Sequence, residues 1–256
     1  MLPSLRNRTR LFVVTLAAVL AFFAPSDATA QDALHGPSLR DQGRALPVSS
    51  PHSCHSCLFY GGDFDANNPG ANAVMDGQTP AGDGEVYVPF VVPQGQRWNV
   101  RGLMVNVLAT ASVAPRQAYW EIRQGVSSGN GGTLVASGTG PAAFGPQFDC
   151  GDAAFYCAAV EVNGIEVHLA SGRYWLLLEP QCTDANKCSG VSYYAADVED
   201  NPPPHHYGPL EPWDASFFSS DTFGDSFAPT WGASGVCEGT GCDRFSAGVM
   251  GISAGN

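Results

Sequence analysis

Downstream of the first 30 residues, no segment carries apolar residues at helical spacing over three turns. Apolar residues come instead in short runs, alternating and rich in β-branched and aromatic side chains, parted by glycine, proline and asparagine. A chain patterned this way predicts strands and turns. Glu85–Val92 reads as one strand, and Pro89 inside it implies a sheet edge or a bulge, because proline offers no N–H to a ladder. Trp98–Leu108 sets Trp98, Val100, Leu103, Val105 and Val107 near one face, with a phase shift at Arg101-Gly102 that predicts a bulge. Ala118–Arg123 and Thr133–Ser137 flank a Gly/Ser/Asn loop, Gly125–Gly132. Ala159–Leu169 predicts a hairpin turning at Asn163-Gly164. Arg173–Glu179 is continuously apolar at its centre, as a central strand would be, and Val191–Ala195 and Arg244–Ile252 complete the series. Between those two, Asn201-Pro202-Pro203-Pro204 opens a long loop in which Phe217, Phe218, Phe223, Phe227 and Trp231 punctuate polar turn residues. Roughly eight to ten short strands predict an all-β fold, a two-sheet antiparallel sandwich of jelly-roll type.

The N-terminus has a different character. Arg6, Arg8 and Arg10 precede an uncharged stretch, Leu11 to Ala24, that Pro25 breaks. Ala28-Thr29-Ala30 follows as a small-residue cleavage signal. These are the three parts of a secretory signal peptide, residues 1–30. Fourteen helical residues reach about 21 Å, short of a ~30 Å hydrocarbon core, so the stretch does not predict a membrane span. Residues 31–53 lack hydrophobic period and predict a poorly ordered leader, and residues 54–256 a single β-sandwich domain. The end of the chain, GVMGISAGN, has neither an apolar tail nor a basic cluster, so the expectation is release to the extracellular space without later membrane contact.

Composition then narrows the partners. The chain carries 12 Lys+Arg against 24 Asp+Glu, and removal of residues 1–30 leaves nine against 23. A surface this acidic repels phosphate backbones and anionic membranes, which disfavours nucleic acid. It leaves polysaccharide, another extracellular protein or a divalent cation as partners. Glycine (30) and proline (19) are frequent without a period, which fits a turn-rich folded domain.

All eight cysteines lie beyond the signal, as neighbours in sequence: Cys54 and Cys57, Cys150 and Cys157, Cys182 and Cys188, Cys237 and Cys242. Eight cysteines allow 105 connectivities, and the local one is the simplest in an oxidising compartment. Such bridges clip short loops and stabilise modestly. His52-Ser53-Cys54-His55-Ser56-Cys57 also has zinc-ligand chemistry, but it lacks a second C-x-x-C partner.

Tyr119–Gly140 (YWEIRQGVSSGNGGTLVASGTG) resembles a segment of a loosely defined family of exported bacterial β-sandwich proteins, the choice-of-anchor-like proteins. The resemblance extends to Leu58–Pro69 (LFYGGDFDANNP), Phe90–Trp98 and Gly172–Trp175. It implies a sandwich fold and an exported chain, and it supplies no catalytic residues.

Candidate sites follow from chemistry. Asp63, Asp65 and Asn67 alternate oxygen side chains as calcium loops do, and Asp76 could close the loop. The EF-hand pattern then fails, since Asn68 and Val74 stand where Gly and Glu belong, and an Asx-rich turn explains the same residues. Tyr193, Tyr194, Tyr207 and Trp213 are candidates for a sugar-stacking platform. The strand pairs Tyr119-Trp120 and Tyr174-Trp175 point to opposite faces, so one ring of each pair is expected in the core. Glu121, Glu161, Glu166 and Glu179 could supply the paired carboxylates of a glycosidase if two faced one cleft. No G-x-S-x-G, H-E-x-x-H or phosphate-binding glycine loop occurs. The leading expectation is a secreted non-enzymatic binding or structural module with no assigned catalytic residue; the alternative is a secreted glycan hydrolase.

Overall fold

The computed structural model describes residues 54, 57–63, 73–74, 84–110, 115–145, 148–149, 156–181, 193–196, 198, 206–209, 211, 215–221, 224–230 and 244–255. Among them are thirteen strands and no α-helix. They are β1 (Cys57–Tyr60), β2 (Ala73–Val74), β3 (Glu85–Val92), β4 (Gln96–Ala109), β5 (Gln117–Gln124), β6 (Thr133–Phe144), β7 (Phe148–Asp149), β8 (Tyr156–Leu169), β9 (Gly172–Gln181), β10 (Tyr193–Ala195), β11 (Phe217–Ser220), β12 (Asp225–Pro229) and β13 (Ala247–Gly255).

The protein is all-β, and its pairings are antiparallel. Hydrogen bonding runs unbroken along β1-β13-β4-β8-β6-β5-β9-β3-β11-β12, with β10 and β7 attached to β4 and β8, and β2 to β10. Continuity passes through β6, which pairs with β5 from Thr133 to Pro141 and with β8 from Ala142 to Phe144. One strand therefore serves both halves of a single sheet.

The inner face of that sheet is the main core. Leu103, Val105 and Val107 of β4, Val160 and Val162 of β8, Ala118, Trp120 and Ile122 of β5, and Leu176 and Leu178 of β9 are buried in one cluster. Phe90 of β3 stacks on Trp98 of β4 at 6.1 Å and on Tyr174 of β9 at 5.7 Å, and meets Phe59 of β1 at 6.0 Å. Rings from distant positions in the strand order thus touch, so the sheet curls back over its own inner face.

Several local expectations can be compared with the structure. β3 has the bounds read from the sequence, and Pro89 sits beyond the stretch where β11 pairs with it, so no ladder bond is lost on that side. The register shift in β4 lies between Val100 and Gly102. Asn163-Gly164 is not a hairpin turn. β8 runs on through it as one strand, because β4 is long enough to pair with both arms: Val162 opposes Leu103 and Val167 opposes Val100. The extra residues are absorbed as a bulge in which Gly164 takes φ +78°, a left-handed conformation that glycine adopts freely. Phe217–Ser220 and Asp225–Pro229, read as punctuated loop, are strands β11 and β12.

Cys54 and Cys57 form a disulfide at the entrance to β1. Their sulfurs are bonded to each other, which removes them as thiolate ligands for zinc. Cys157 is also disulfide-bonded. Cys150, Cys182, Cys188, Cys237 and Cys242 lie outside the described residues.

Leu176 is buried on all sides in β9, whereas Leu134 of β6 is exposed. Leu176→Ala is expected to lower unfolding free energy by about 2–5 kcal/mol through lost burial and a cavity. Leu134→Ala should stay within about 0.5 kcal/mol. Urea unfolding of the two variants checks the contrast.

A sealed carboxylate cluster and an open basic depression

Strand alternation puts Glu85 and Tyr87 of β3, Tyr119, Glu121 and Arg123 of β5, and Trp175, Leu177 and Glu179 of β9 on the face opposite the main core. Register sets Tyr119 opposite Glu179, Glu121 opposite Leu177 and Arg123 opposite Trp175. Of the four glutamates considered from the sequence, two therefore come together here. Glu161 and Glu166 lie on β8, where Asn163 Nδ2 donates to Glu161 and Glu166 stands 3.8 Å from His168.

Glu121 is the centre of the cluster. It is 5 % exposed and accepts from three donors. Tyr119 OH donates to Oε1 at 2.5 Å, while Tyr87 OH (3.2 Å) and Arg123 Nε donate to Oε2. Tyr87 OH lies also 2.9 Å from Glu85 Oε2, so one phenol stands between two carboxylates. The Arg123 guanidinium sits 5.6 Å from the centroid of the Tyr87 ring and 5.4 Å from that of Phe227, and its Nη1 donates to the Gly131 carbonyl at 3.1 Å. Tyr87, Val126, Trp175, Leu177 and Phe217 form the apolar surround, with Tyr119 and Phe227 packed against it.

Two residues make the roof possible. Phe227 holds φ +47°, a conformation that non-glycine residues adopt at a cost of order 1–3 kcal/mol. A Cβ on Gly131 would lie 2.4 Å from the Phe227 ring, so only glycine leaves it room. Neither residue was legible as part of a site, because their roles depend on strands distant in sequence.

The electrostatics follow from this packing. Burial, then the charges of Glu85 and Glu121, hold the Tyr87 phenol far above its ordinary range. Burial and the bond to Glu121 push Tyr119 up to about 12. Burial alone would lower Arg123, but its bond to Glu121 and the neighbouring charges outweigh that and keep it above its usual value. Glu121 is thereby tied to β3 and β5 through Tyr87, Tyr119 and Arg123.

The other sequence candidates fall as follows. Tyr193 is 1 % exposed in the main core, so it cannot be part of a sugar platform. Both rings of Tyr174-Trp175 are buried, one on each face, because β9 is covered on both sides. Tyr207 is 42 % exposed, with its ring 6.3 Å from that of Tyr60. Tyr194 belongs to β10, and Trp213 lies outside the described residues. Asp63 accepts from Tyr60 OH at 3.0 Å, while Asp65, Asn67 and Asp76 lie outside the described residues. Among the described residues no group of three or more His, Cys, Asp or Glu is placed to hold a metal.

A second feature is open to solvent. β13, β4 and β8 present a depression of about 570 Å³ bordered by Arg97, Asn99, Arg101, His168, Ile252 and Ala254. Register places Ile252, Asn99 and His168 in one row across the three strands, and Ala254 beside Arg97 in the next.

No family model, no curated protein and no solved structure matches this chain.

Two outcomes test the sealed cluster. Glu121→Gln should cost roughly 1–3 kcal/mol, because it leaves the partly buried Arg123 facing a neutral amide; urea unfolding measures this. In the unfolded chain a tyrosine ionises near pH 10, whereas folded Tyr119 keeps its proton to about pH 12. Stability from this phenol is thus complete below pH 10 and lost as pH rises towards 12. Alkaline unfolding followed by phenolate absorbance should show that decline, and Tyr119→Phe should make it shallower.

Proposed function

We propose that this protein is a secreted, non-enzymatic β-sandwich of jelly-roll type that binds carbohydrate or another extracellular partner. The observation that supports the non-enzymatic part is the engagement of Glu121 by Tyr119, Tyr87 and Arg123, with its side chain 5 % exposed. A catalytic acid or nucleophile needs its carboxyl group within reach of substrate. Export is supported by the basic, apolar and A-x-A segments of residues 1–30 together with the Cys54–Cys57 bridge. The sandwich reading is supported by Phe59 and Trp98, whose rings reach Phe90 from the other half of the sheet.

The alternative, a glycan hydrolase, draws on one observation: Glu121 and Glu179 share a face on neighbouring strands. A glycan array run beside a hydrolysis screen separates the two. The oxidised protein lacking residues 1–30 is expected to retain at least one polysaccharide and to release no reducing sugar. Reducing-sugar release that disappears in Glu179→Gln would overturn the non-enzymatic reading.

A further inference from the structure

We infer that the depression between β13, β4 and β8 binds a carboxylate-bearing polysaccharide. This inference rests on the carbohydrate-binding reading and names its ligand class and its site.

Charge sets this depression apart. Beyond residue 30 the chain has nine Lys+Arg, yet two exposed arginines and a histidine border this one depression and no carboxylate lines it. Arg97 and Arg101 make no ion pair among the described residues. The neighbouring carboxylate is Glu166, which stands 3.8 Å from His168 and is itself mostly exposed. With acidic groups prevailing elsewhere, a polyanion is repelled by most of the surface and meets cations here. At physiological salt, charges interact over only about 8 Å, so this local arrangement outweighs the net charge.

The kind of anion follows from the partners. A guanidinium presents parallel N–H donors that match a carboxylate bidentately. Ile252, 49 % exposed in the row of Asn99 and His168, offers apolar surface to the C–H face of a sugar ring.

Length adds to this. Arg97 and Arg101 are four residues apart on one strand, roughly 13 Å at strand rise. That span exceeds one sugar ring and suits a chain with repeated carboxylates. Arg101 is the extra residue of β4 where its register with β13 shifts.

Calorimetry with the oxidised protein lacking residues 1–30 tests this with polygalacturonate, its methyl ester and a neutral glucan. Polygalacturonate should bind and weaken as salt is raised, and the ester should not bind. Arg97→Gln with Arg101→Gln should reduce affinity by about tenfold or more while leaving the unfolding midpoint unchanged. Equal binding of acid and ester, or unchanged affinity in the double variant, overturns the inference. If only the neutral glucan binds, the carbohydrate reading stands and this inference falls. If no polymer binds, this inference falls, and the glycan array decides the carbohydrate reading separately. Salt-sensitive self-association that disappears in the double variant would instead assign the depression to a second acidic copy of the chain.

Discussion

β9 is apolar on both faces, and the rest of the structure has to cover it twice. Tyr174, Leu176 and Leu178 point into the main core, while Trp175 and Leu177 point the other way. A strand buried on both sides needs two layers over it. The first is the main core, in which side chains of β4 and β8 share its buried cluster. The second is the cluster around Glu121, roofed by Phe227 and Phe217. A charged group inside that second layer is tolerable because its bonds are made: three donors converge on Glu121, and Arg123 lies between two aromatic faces.

Much of the inner architecture was legible in the sequence, for a physical reason. Where one face is buried and partners are regular, alternation is enough to locate a strand, and β3, β5 and the centre of β9 follow from it. Arg101-Gly102 announced a bulge because the apolar phase slips there. The failures share a cause in distant pairing. Asn163-Gly164 has hairpin chemistry, but β4 spans both of its arms and keeps the chain straight. Phe217 and Phe218 lack a long alternating context, and their strand exists because β3 offers an edge. Alternation also told that Tyr119 and Trp120 point to opposite faces, yet it could not tell that a phenylalanine a hundred residues later would pack on the side of Tyr119. Asn99 and His168 were invisible as neighbours because cross-strand register brings them together.

The two outward surfaces contrast in chemistry. Over β3, β5 and β9 the carboxylate of Glu121 is buried among Tyr87, Tyr119 and Arg123. Over β13, β4 and β8 Arg97 and Arg101 are exposed around an open depression. The same alternation produces both. The difference lies in what is laid on top, since β11 and β12 extend the sheet beside β3, and Phe227 reaches back over Arg123 from there.

The pairing of β1 with β13 has a consequence for the order of assembly. Cys57 lies beside Met250 and Tyr60 beside Gly248, so the first described strand is neighbour to the last. β4 needs β13 along its flank as well, with Val105 opposite Ala247. Contacts across such a separation in sequence are slow to close. The β1–β13 and β4–β13 ladders are therefore expected among the later events of folding, with the nine-residue β13 as the strand that ties the first described strand to β4.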